Sequence, residues 1–214
     1  MTHDQSDALT LRSYPYSETH LIVIFLTRNN GQLRSIAYGA KGGKNRRFGS
    51  GLEPLTYSRI TYSSKEGQEL VVLRDLEIIN AYPAYELAWE KKLHFAYFSE
   101  LLQEFTSEGK PSEESFRLIL AVLNSSGGIP IAILSRYFEL WMLRLEGILP
   151  DLDTKLPKKL ASKTHSYMAT PPHKLDSQGL ELGELERLGR FSEELIESHL
   201  EKKLKSRRIL KEIL

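Results

Sequence analysis

The sequence predicts an α+β protein in which a small β-barrel is followed by an α-helical domain. Over the first 80 residues, apolar and β-branched side chains come in short runs separated by turn-forming residues, which is the pattern of strands. After Tyr82 and Pro83, apolar residues recur at helical spacing. We therefore divide the chain of 214 residues into a barrel domain, 1–80, and a helical domain, 81–214.

Five short strands are expected in the barrel domain. They cover residues 8–14, 21–26, 33–38, 56–62 and 70–79. An Asn-Asn-Gly turn at 29–31 favours a hairpin between the second and third strands. In the fourth strand, alternation puts Tyr57 on one face and Ile60 and Tyr62 on the other. Five strands in so short a segment are typical of the oligonucleotide/oligosaccharide-binding (OB) fold.

Three amphipathic helices are expected next. Their apolar stripes are Leu87, Phe95, Phe98, Leu102 and Phe105, then Phe116, Ile119, Leu120 and Leu123, then Leu134, Phe138, Trp141 and Leu145. Ser112, followed by two glutamates, is a suitable N-cap for the second helix, and Pro130 opens the third. Over 150–179 the periodicity is lost, which predicts an irregular insertion. Amphipathic helices return over 180–188 and from Ser192 onwards.

The composition narrows the class of protein. There is no cysteine, so a zinc site would have to use histidines and carboxylates, and we expect no bound metal. No apolar run approaches the roughly 20 residues needed to cross a bilayer. The first residues also lack the pattern of a signal peptide. We therefore expect a cytoplasmic protein without a membrane partner.

No group of residues has the pattern of a catalytic site. The segment 39–45 is superficially similar to a phosphate loop, but Asn45 stands where that loop needs Ser or Thr. Tyr38 stands where its first glycine belongs. The usual hydrolase, metalloprotease and calcium-loop patterns are missing. We therefore expect that the protein is not an enzyme and uses no cofactor.

The charges are unevenly distributed along the chain, although the net charge is only +1. No acidic residue lies between Glu18 and Glu53, and this stretch contains the cations Arg28, Arg34, Lys41, Lys44, Arg46 and Arg47. Each cation can neutralise a phosphate, and Phe48 beside them can stack on a base. The alternative is a solvated glycine-rich loop whose charges only maintain solubility. A second basic cluster near the end of the chain is a weaker candidate contact for DNA or a partner; it consists of Lys203, Lys205, Arg207 and Arg208. It is weaker because cations in the last turn of a helix also stabilise that helix through its dipole.

Four segments of the chain resemble the bacterial RecO family of DNA repair proteins. They are 11–42, 52–55 (LEPL), 144–150 (RLEGILP) and 204–210 (LKSRRIL). The first contains a strand with aromatic residues, an apolar strand that ends in Thr27, a turn, and then Gly39 with a basic loop. Each segment is degenerate alone, but their order and spacing over nearly the whole chain are specific.

The resemblance implies an OB fold, binding of single- and double-stranded DNA, annealing of complementary strands, and help in loading a recombinase. The location would be the cytoplasm, at the nucleoid. The implied partners are RecR and the acidic, apolar-ended tail of the single-strand-binding protein. Such a tail needs cations beside an apolar groove, and Arg136 and Arg144 share a helix with Phe138 and Trp141. The alternative is that both arginines are ordinary surface charges.

The chain departs from the family pattern after Pro150, where many members carry a four-cysteine zinc site. Lys155 and Lys158 stand in the places of the first cysteine pair. His165 and His173 alone could not complete a tetrahedral structural site. We therefore interpret 150–179 as a metal-free remnant of that zinc module.

Two other functions remain open from the sequence. A barrel with helices is also compatible with a protein adaptor that binds no nucleic acid, and salt titration of DNA binding separates this case. An RNA-binding barrel of the cold-shock kind is the second, although the long helical half is unnecessary for it. Competition between DNA and RNA strands of equal length tests that case.

Overall fold

The computed structural model describes residues 2–41, 48–65, 70–82, 88–175 and 179–213 of the protein. The chain divides into two compact units, Met1–Phe116 and Arg117–Leu214. The last strand ends at Ala81, close to the domain boundary predicted at residue 80. The first packing unit continues beyond that point, because the first helix packs on a strand of the barrel.

Within the described residues, five strands close into a barrel. They are β1 (Thr2–Pro15), β2 (Leu21–Thr27), β3 (Gly31–Ala37), β4 (Thr56–Ser64) and β5 (Val71–Ala81). Their order around the barrel is β1-β2-β3-β5-β4, with antiparallel pairs except for the short parallel contact of β3 with β5. The predicted α+β class, with an OB-like sheet before a helical region, is confirmed.

Alternate positions of the strands fill the barrel interior with apolar side chains. The buried cluster includes Val23, Phe25 and Leu73. Ile60 and Tyr62 also lie inside, whereas Tyr57 is on the other face and half-buried, as the alternation in the fourth strand predicts. The period-two pattern therefore identified the inner face of β4 correctly.

A bulge in β1 determines which of its side chains face outward. The register with β2 shifts between Thr10 and Arg12, so Leu11 is an extra residue. Before the bulge, Ala8 and Thr10 are buried at even-numbered positions. After the bulge, Arg12 at the next even-numbered position is exposed. If Leu11 were an ordinary paired residue, strict alternation would direct Arg12 into the barrel interior.

Helix α1 (Trp89–Phe105) packs against the barrel within the first unit. The Ser99 hydroxyl donates a hydrogen bond to the carbonyl of Leu11 at the bulge. The side-chain amide of Gln32 in β3 donates to the carbonyls of Gln103 and Thr106, at 2.6 and 2.7 Å. The described members of the predicted apolar stripe are all buried: Phe95, Phe98, Leu102 and Phe105. Leu87, the remaining member, lies outside the described residues.

The turn between β2 and β3 requires glycine at position 31. Gly31 has a φ of +62°, in the left-handed region. A Cβ atom there would lie 2.2 Å from the carbonyl oxygen of Lys110 and 2.3 Å from that of Ser107. The predicted hairpin is confirmed, and the segment after α1 closes over its turn.

Six further helices are present in the described part of the chain. They are α2 (Glu113–Ser125), α3 (Ile131–Leu145), α4 (Leu152–Lys155), α5 (Lys158–Ala169), α6 (Leu182–Leu200) and α7 (Lys205–Ile213). The helices predicted after Ser112 and Pro130 are confirmed as α2 and α3. Two separate helices were expected, over 180–188 and from Ser192 onwards. Instead, α6 is continuous through Ser192, and the helical structure is interrupted at 201–204.

The expectation of an irregular 150–179 segment is wrong, because α4, α5 and a short 3-10 helix at Pro172–Lys174 lie there. In α5 the buried residues fall at helical spacing on one face: Leu160, Ala161, Thr164, Tyr167 and Met168. Pro157 is the N-cap residue of α5, so it precedes a helix instead of preventing one. Among the described residues, no helix is long and apolar enough to cross a membrane.

Candidate nucleic-acid interface

Two arginines flank an isoleucine on the outer face of β1, β2 and β3. In the register of these strands, Arg12 lies opposite Ile24, and Ile24 lies opposite Arg34. In the next outward-facing row, Tyr14 lies opposite Ile22. Since neighbouring strands are about 4.8 Å apart, the backbones that carry the two arginines are roughly 10 Å apart. This face therefore presents cations and an aromatic ring around an apolar centre.

The same residues line an open cleft in the first unit. Its volume is about 490 Å³, within the usual range for small-ligand pockets. The lining residues come from three strands and from α1 with the segment that follows it: Arg12, Tyr14, Ile24, Gln32, Arg34, Gln103 and Glu108. The hydrogen bonds from Gln32 to the end of α1 hold the helical wall against the sheet.

The cleft contains two guanidinium groups and one carboxylate. Arg34 Nε lies 3.7 Å from Glu108 Oε1, in a pair whose side chains are 38% and 51% exposed. Arg34 also donates a long hydrogen bond, 3.5 Å, to the Tyr14 hydroxyl, and the Arg12 guanidinium lies 6.0 Å from the centre of the Tyr14 ring. An exposed ion pair of this length is weak. The cleft therefore keeps a net positive charge that a phosphate can use.

Arg28, another predicted DNA contact, lies in a different environment. Its guanidinium is 3.9 Å from Asp7 Oδ2 and 5.4 Å from the centre of the Phe116 ring. Asp7 also accepts hydrogen bonds from the hydroxyl of Tyr57, at 3.0 Å, and from Nε of Arg59, at 3.2 Å. Burial and the bond to Asp7 raise the pKa of Tyr57. The two arginines and one carboxylate leave a positive patch here too, but the Tyr57 hydroxyl already donates its hydrogen bond to Asp7.

The predicted basic loop is described only at its two ends. Lys41 is exposed, and its backbone N–H donates to the carbonyl of Thr19. Phe48 has a φ of +72° and packs, partly buried, against the core of the barrel, so it contributes to packing. Lys44, Arg46 and Arg47 lie outside the described residues.

Two of the other predicted site residues are buried within the second unit. Arg136 Nη2 lies 2.9 Å from Glu139 Oε1, and Arg207 Nη1 lies 3.5 Å from the same oxygen. The two arginine side chains are 8% and 10% exposed, and the glutamate 1%. The surface roles expected for Arg136 and Arg207 are therefore corrected, because both charges face Glu139 inside the protein.

The remaining predicted cations of the second unit are on its surface. Lys203, Lys205 and Arg208 are exposed. Arg208 lies 3.8 Å from Glu212, one helical turn further along α7. Arg144 is exposed, and its guanidinium lies 5.1 Å from the centre of the Trp141 ring, whose N–H donates to the carbonyl of Met168. Arg144 with Trp141 thus keeps the cation and apolar surface that a partner's acidic tail would need.

Sequence reasoning missed Arg12 and Tyr14. Both occupy positions that strict alternation assigns to the barrel interior, and the bulge at Leu11 that reverses this has no signature in the local sequence. An arginine at an expected core position was the available signal, since charged residues are almost never buried alone. Among the described residues, no cluster of three or more histidine or carboxylate ligands is present.

Comparisons with known proteins give one family for both parts of the chain. Residues 1–82 match the family model described as Recombination protein O N terminal, and residues 88–159 match Recombination protein O C terminal. The chain is 37% identical over 148 residues to DNA repair protein RecO of Koribacter versatilis. It is 35% identical over 153 residues to DNA repair protein RecO of Syntrophus aciditrophicus.

These matches leave part of each relative uncovered. They include 69% of this chain and 60% of the Koribacter protein, and 71% of this chain and 58% of the Syntrophus protein. The chain thus spans less than two thirds of the length of the curated relatives that it matches. Since both family models match in order and both relatives carry the same name, the chain belongs to the RecO family.

Proposed function

We propose that the protein is a DNA-binding recombination mediator in recombinational DNA repair. It binds single- and double-stranded DNA, anneals complementary strands, and helps to load a recombinase onto strands coated by single-strand-binding protein. The observation that carries the proposal is the cleft on β1, β2 and β3, where Arg12 and Arg34 flank an apolar centre beside Tyr14. The relatives named DNA repair protein RecO support the same role.

The chemistry of this role is electrostatic. Each guanidinium that neutralises a phosphate releases condensed counterions, which favours binding without regard to base sequence. Lys41 and the cations at 44, 46 and 47 extend the positive segment along the chain from β3. Two strands held in this way can meet and pair without any bond-making step, so the proposed activity needs no catalytic residue.

The proposed protein partners are RecR and the tail of the single-strand-binding protein. For the acidic tail, exposed Arg144 stacked near Trp141 supplies a cation beside an aromatic surface. The basic residues of the C-terminal helix, Lys203, Lys205 and Arg208, are a further candidate contact for DNA or a partner. The proposed location is the cytoplasm, at the nucleoid.

The decisive test is a salt titration with the double variant Arg12→Ala/Arg34→Ala. We expect affinity for single-stranded DNA to fall on the order of tenfold at moderate salt. The slope of log affinity against log salt should decrease by about 0.7 for each lost phosphate contact. The matched control is Arg187→Ala/Arg190→Ala, which removes two exposed arginines from α6 and should leave the slope unchanged.

Two results would overturn the proposal. Absence of DNA binding by the wild-type protein at low salt, or a flat salt response, would favour the protein adaptor. Stronger binding of an RNA strand than of a DNA strand of equal length would favour the RNA-binding barrel. A second variant, Lys44→Ala/Arg46→Ala/Arg47→Ala, tests the basic loop, and we expect weaker binding with a smaller slope here also.

A further inference from the structure

Two exposed tyrosines continue the cationic face of the barrel beyond its strands. Tyr16 follows Tyr14 by two residues at the end of β1, and Tyr38 follows the last residue of β3. Both side chains are exposed, Tyr16 by 58% and Tyr38 by 42%. Single exposed apolar side chains are common on protein surfaces, whereas two aromatic rings on segments that hydrogen-bond to each other form a larger apolar surface.

Local hydrogen bonds tie the two tyrosine-bearing segments together. The Gly39 N–H donates to Nδ1 of His20, at 3.2 Å, and the Lys41 N–H donates to the Thr19 carbonyl, at 3.0 Å. The Tyr16 N–H donates to the His20 carbonyl, also at 3.0 Å. The turn between β1 and β2 is thus linked to the residues that follow β3.

His20 also positions the Tyr38 ring. The two ring centres are 4.8 Å apart and the planes are inclined by 79°, an edge-to-face contact. The contact restrains Tyr38 on one side and leaves a large part of the side chain accessible to solvent.

We propose that Tyr16 and Tyr38 form a stacking site for unpaired nucleobases, next to the cations that hold the phosphates. The proposal rests on the proposed function, and it adds that this face prefers single-stranded to duplex DNA. Bases present both π-faces only when they are neither paired nor stacked in a duplex, and a tyrosine ring matches such a face without reading its sequence. Lys41, exposed beside Tyr38, supplies a charge for the accompanying phosphate.

The stacking role has a signature that a purely electrostatic role lacks. In Tyr16→Ala/Tyr38→Ala no phosphate contact is removed, so the salt slope should stay that of the wild type. Affinity for an oligothymidylate should nevertheless fall about tenfold or more. Affinity for a duplex of equal length should change little, so the preference for single strands should decrease.

Three controls make the result specific. Tyr16→Phe/Tyr38→Phe keeps both ring faces and should bind like the wild type. Trp89→Ala removes another exposed aromatic ring of the same unit, 53% exposed in α1, and should have no effect. An abasic strand, which has phosphates but no bases, should bind the wild type and the double-alanine variant equally.

A crosslinking experiment locates the contact directly. An oligonucleotide with 5-iodouracil, irradiated in complex with the wild-type protein, should crosslink to Tyr16 or Tyr38. The inference fails if DNA binds with the expected salt dependence but the double-alanine variant keeps full affinity, or if crosslinks map only elsewhere. Loss of binding by the wild-type protein itself would instead refute the proposed function, so the two failures are distinguishable.

Discussion

The two units of the protein place their arginines in opposite environments. In the barrel unit, the Arg34 side chain is 38% exposed and forms a long, exposed pair with Glu108. In the helical unit, Arg136 and Arg207 are almost fully buried and share the carboxylate of Glu139. The first arrangement leaves positive charge available to a ligand, and the second uses it to connect α3 with α7.

The difference shows that the position of an arginine in its element matters more than the local density of charge. Arg207 belongs to a basic cluster that looks like a polyanion-binding surface, yet it faces inward because it shares a face of α7 with the buried Leu210, three residues further on. Arg12 has no basic neighbours in sequence, yet it lies in the cleft. A buried charge without a counter-charge is costly, so the shared carboxylate of Glu139 stabilises both inward arginines.

The largest effect should come from removing that glutamate. Glu139→Ala removes the carboxylate that the buried guanidinium groups of Arg136 and Arg207 share, and we expect the free energy of unfolding to fall by about 3–5 kcal/mol. Urea denaturation followed by circular dichroism measures this change. The control is Glu212→Ala, which breaks the exposed pair with Arg208 and should change stability by no more than about 0.5 kcal/mol. If both substitutions had similarly small effects, the contrast between the buried and the exposed arginine pairs would be wrong.

A glycine of α6 tests the same cluster through its geometry. In Gly189→Ala, the new Cβ would lie 2.1 Å from Nη1 of Arg136, and this side chain cannot move without leaving Glu139. We expect a loss of about 1–3 kcal/mol in unfolding free energy. Gly183→Ala in the same helix meets open space and should be neutral or stabilising by up to about 1 kcal/mol. Equal stability of the two variants would show that Arg136 is not held in place.

In contrast to the buried arginines, the arginines of the barrel cleft should be available to DNA, and a substitution that increases DNA affinity tests this. Glu108→Gln removes the carboxylate 3.7 Å from Arg34 while it keeps the size of the side chain. We expect single-stranded DNA to bind up to about fivefold more tightly at low salt, with a steeper salt dependence, since an exposed pair contributes on the order of 1 kcal/mol. Glu113→Gln, an exposed glutamate at the start of α2, is the control. Unchanged affinity would mean that Arg34 is not a phosphate ligand.

The smallest effect concerns the partly buried Lys163–Glu184 pair of the helical unit. Hydrogen bonds from Lys163 and from the backbone of Glu181 lower the pKa of Glu184. A lowered folded-state pKa means that the stabilisation is present above the unfolded-state pKa and is lost as the pH falls through the folded-state value. Glu184→Gln should therefore lower the melting temperature slightly at neutral pH and have less effect in acid. Glu186→Gln, which changes an exposed glutamate of the same helix, is the control.

Much of the fold was predictable because its periodicities are strong. The hairpin at Gly31, the inner face of β4 and the helices after Ser112 and Pro130 all follow from turn residues and apolar spacing. The 150–179 segment was misinterpreted, since its prolines stand at helix boundaries and its short stripe around Leu160 is diluted by lysines. Within so weak a pattern, single residues do not distinguish a short helix from a loop.

The candidate site was less predictable than the fold. Charge density pointed to the loop of residues 41–47, most of which remains a prediction, and to Arg207, which is buried. Arg12 and Tyr14 were overlooked because their orientation depends on strand register, which is a property of the pairing with β2. Tyr16 and Tyr38 could not be recognised as a pair from the sequence, because the contacts of their segments with His20 are tertiary.

The extra residue in β1 separates the position of a side chain along the sequence from the face of the sheet on which it lies. Deleting Leu11 would leave Thr10 opposite Phe25 and Arg12 opposite Ile24 in a regular ladder, so the guanidinium and the phenol that follow would keep their outward orientation. A homologue that lacks this one residue can therefore present the same outer face from a shorter strand. A one-residue alignment gap here is compatible with the same binding surface, whereas a gap further along the strand would turn the following side chains to the other face.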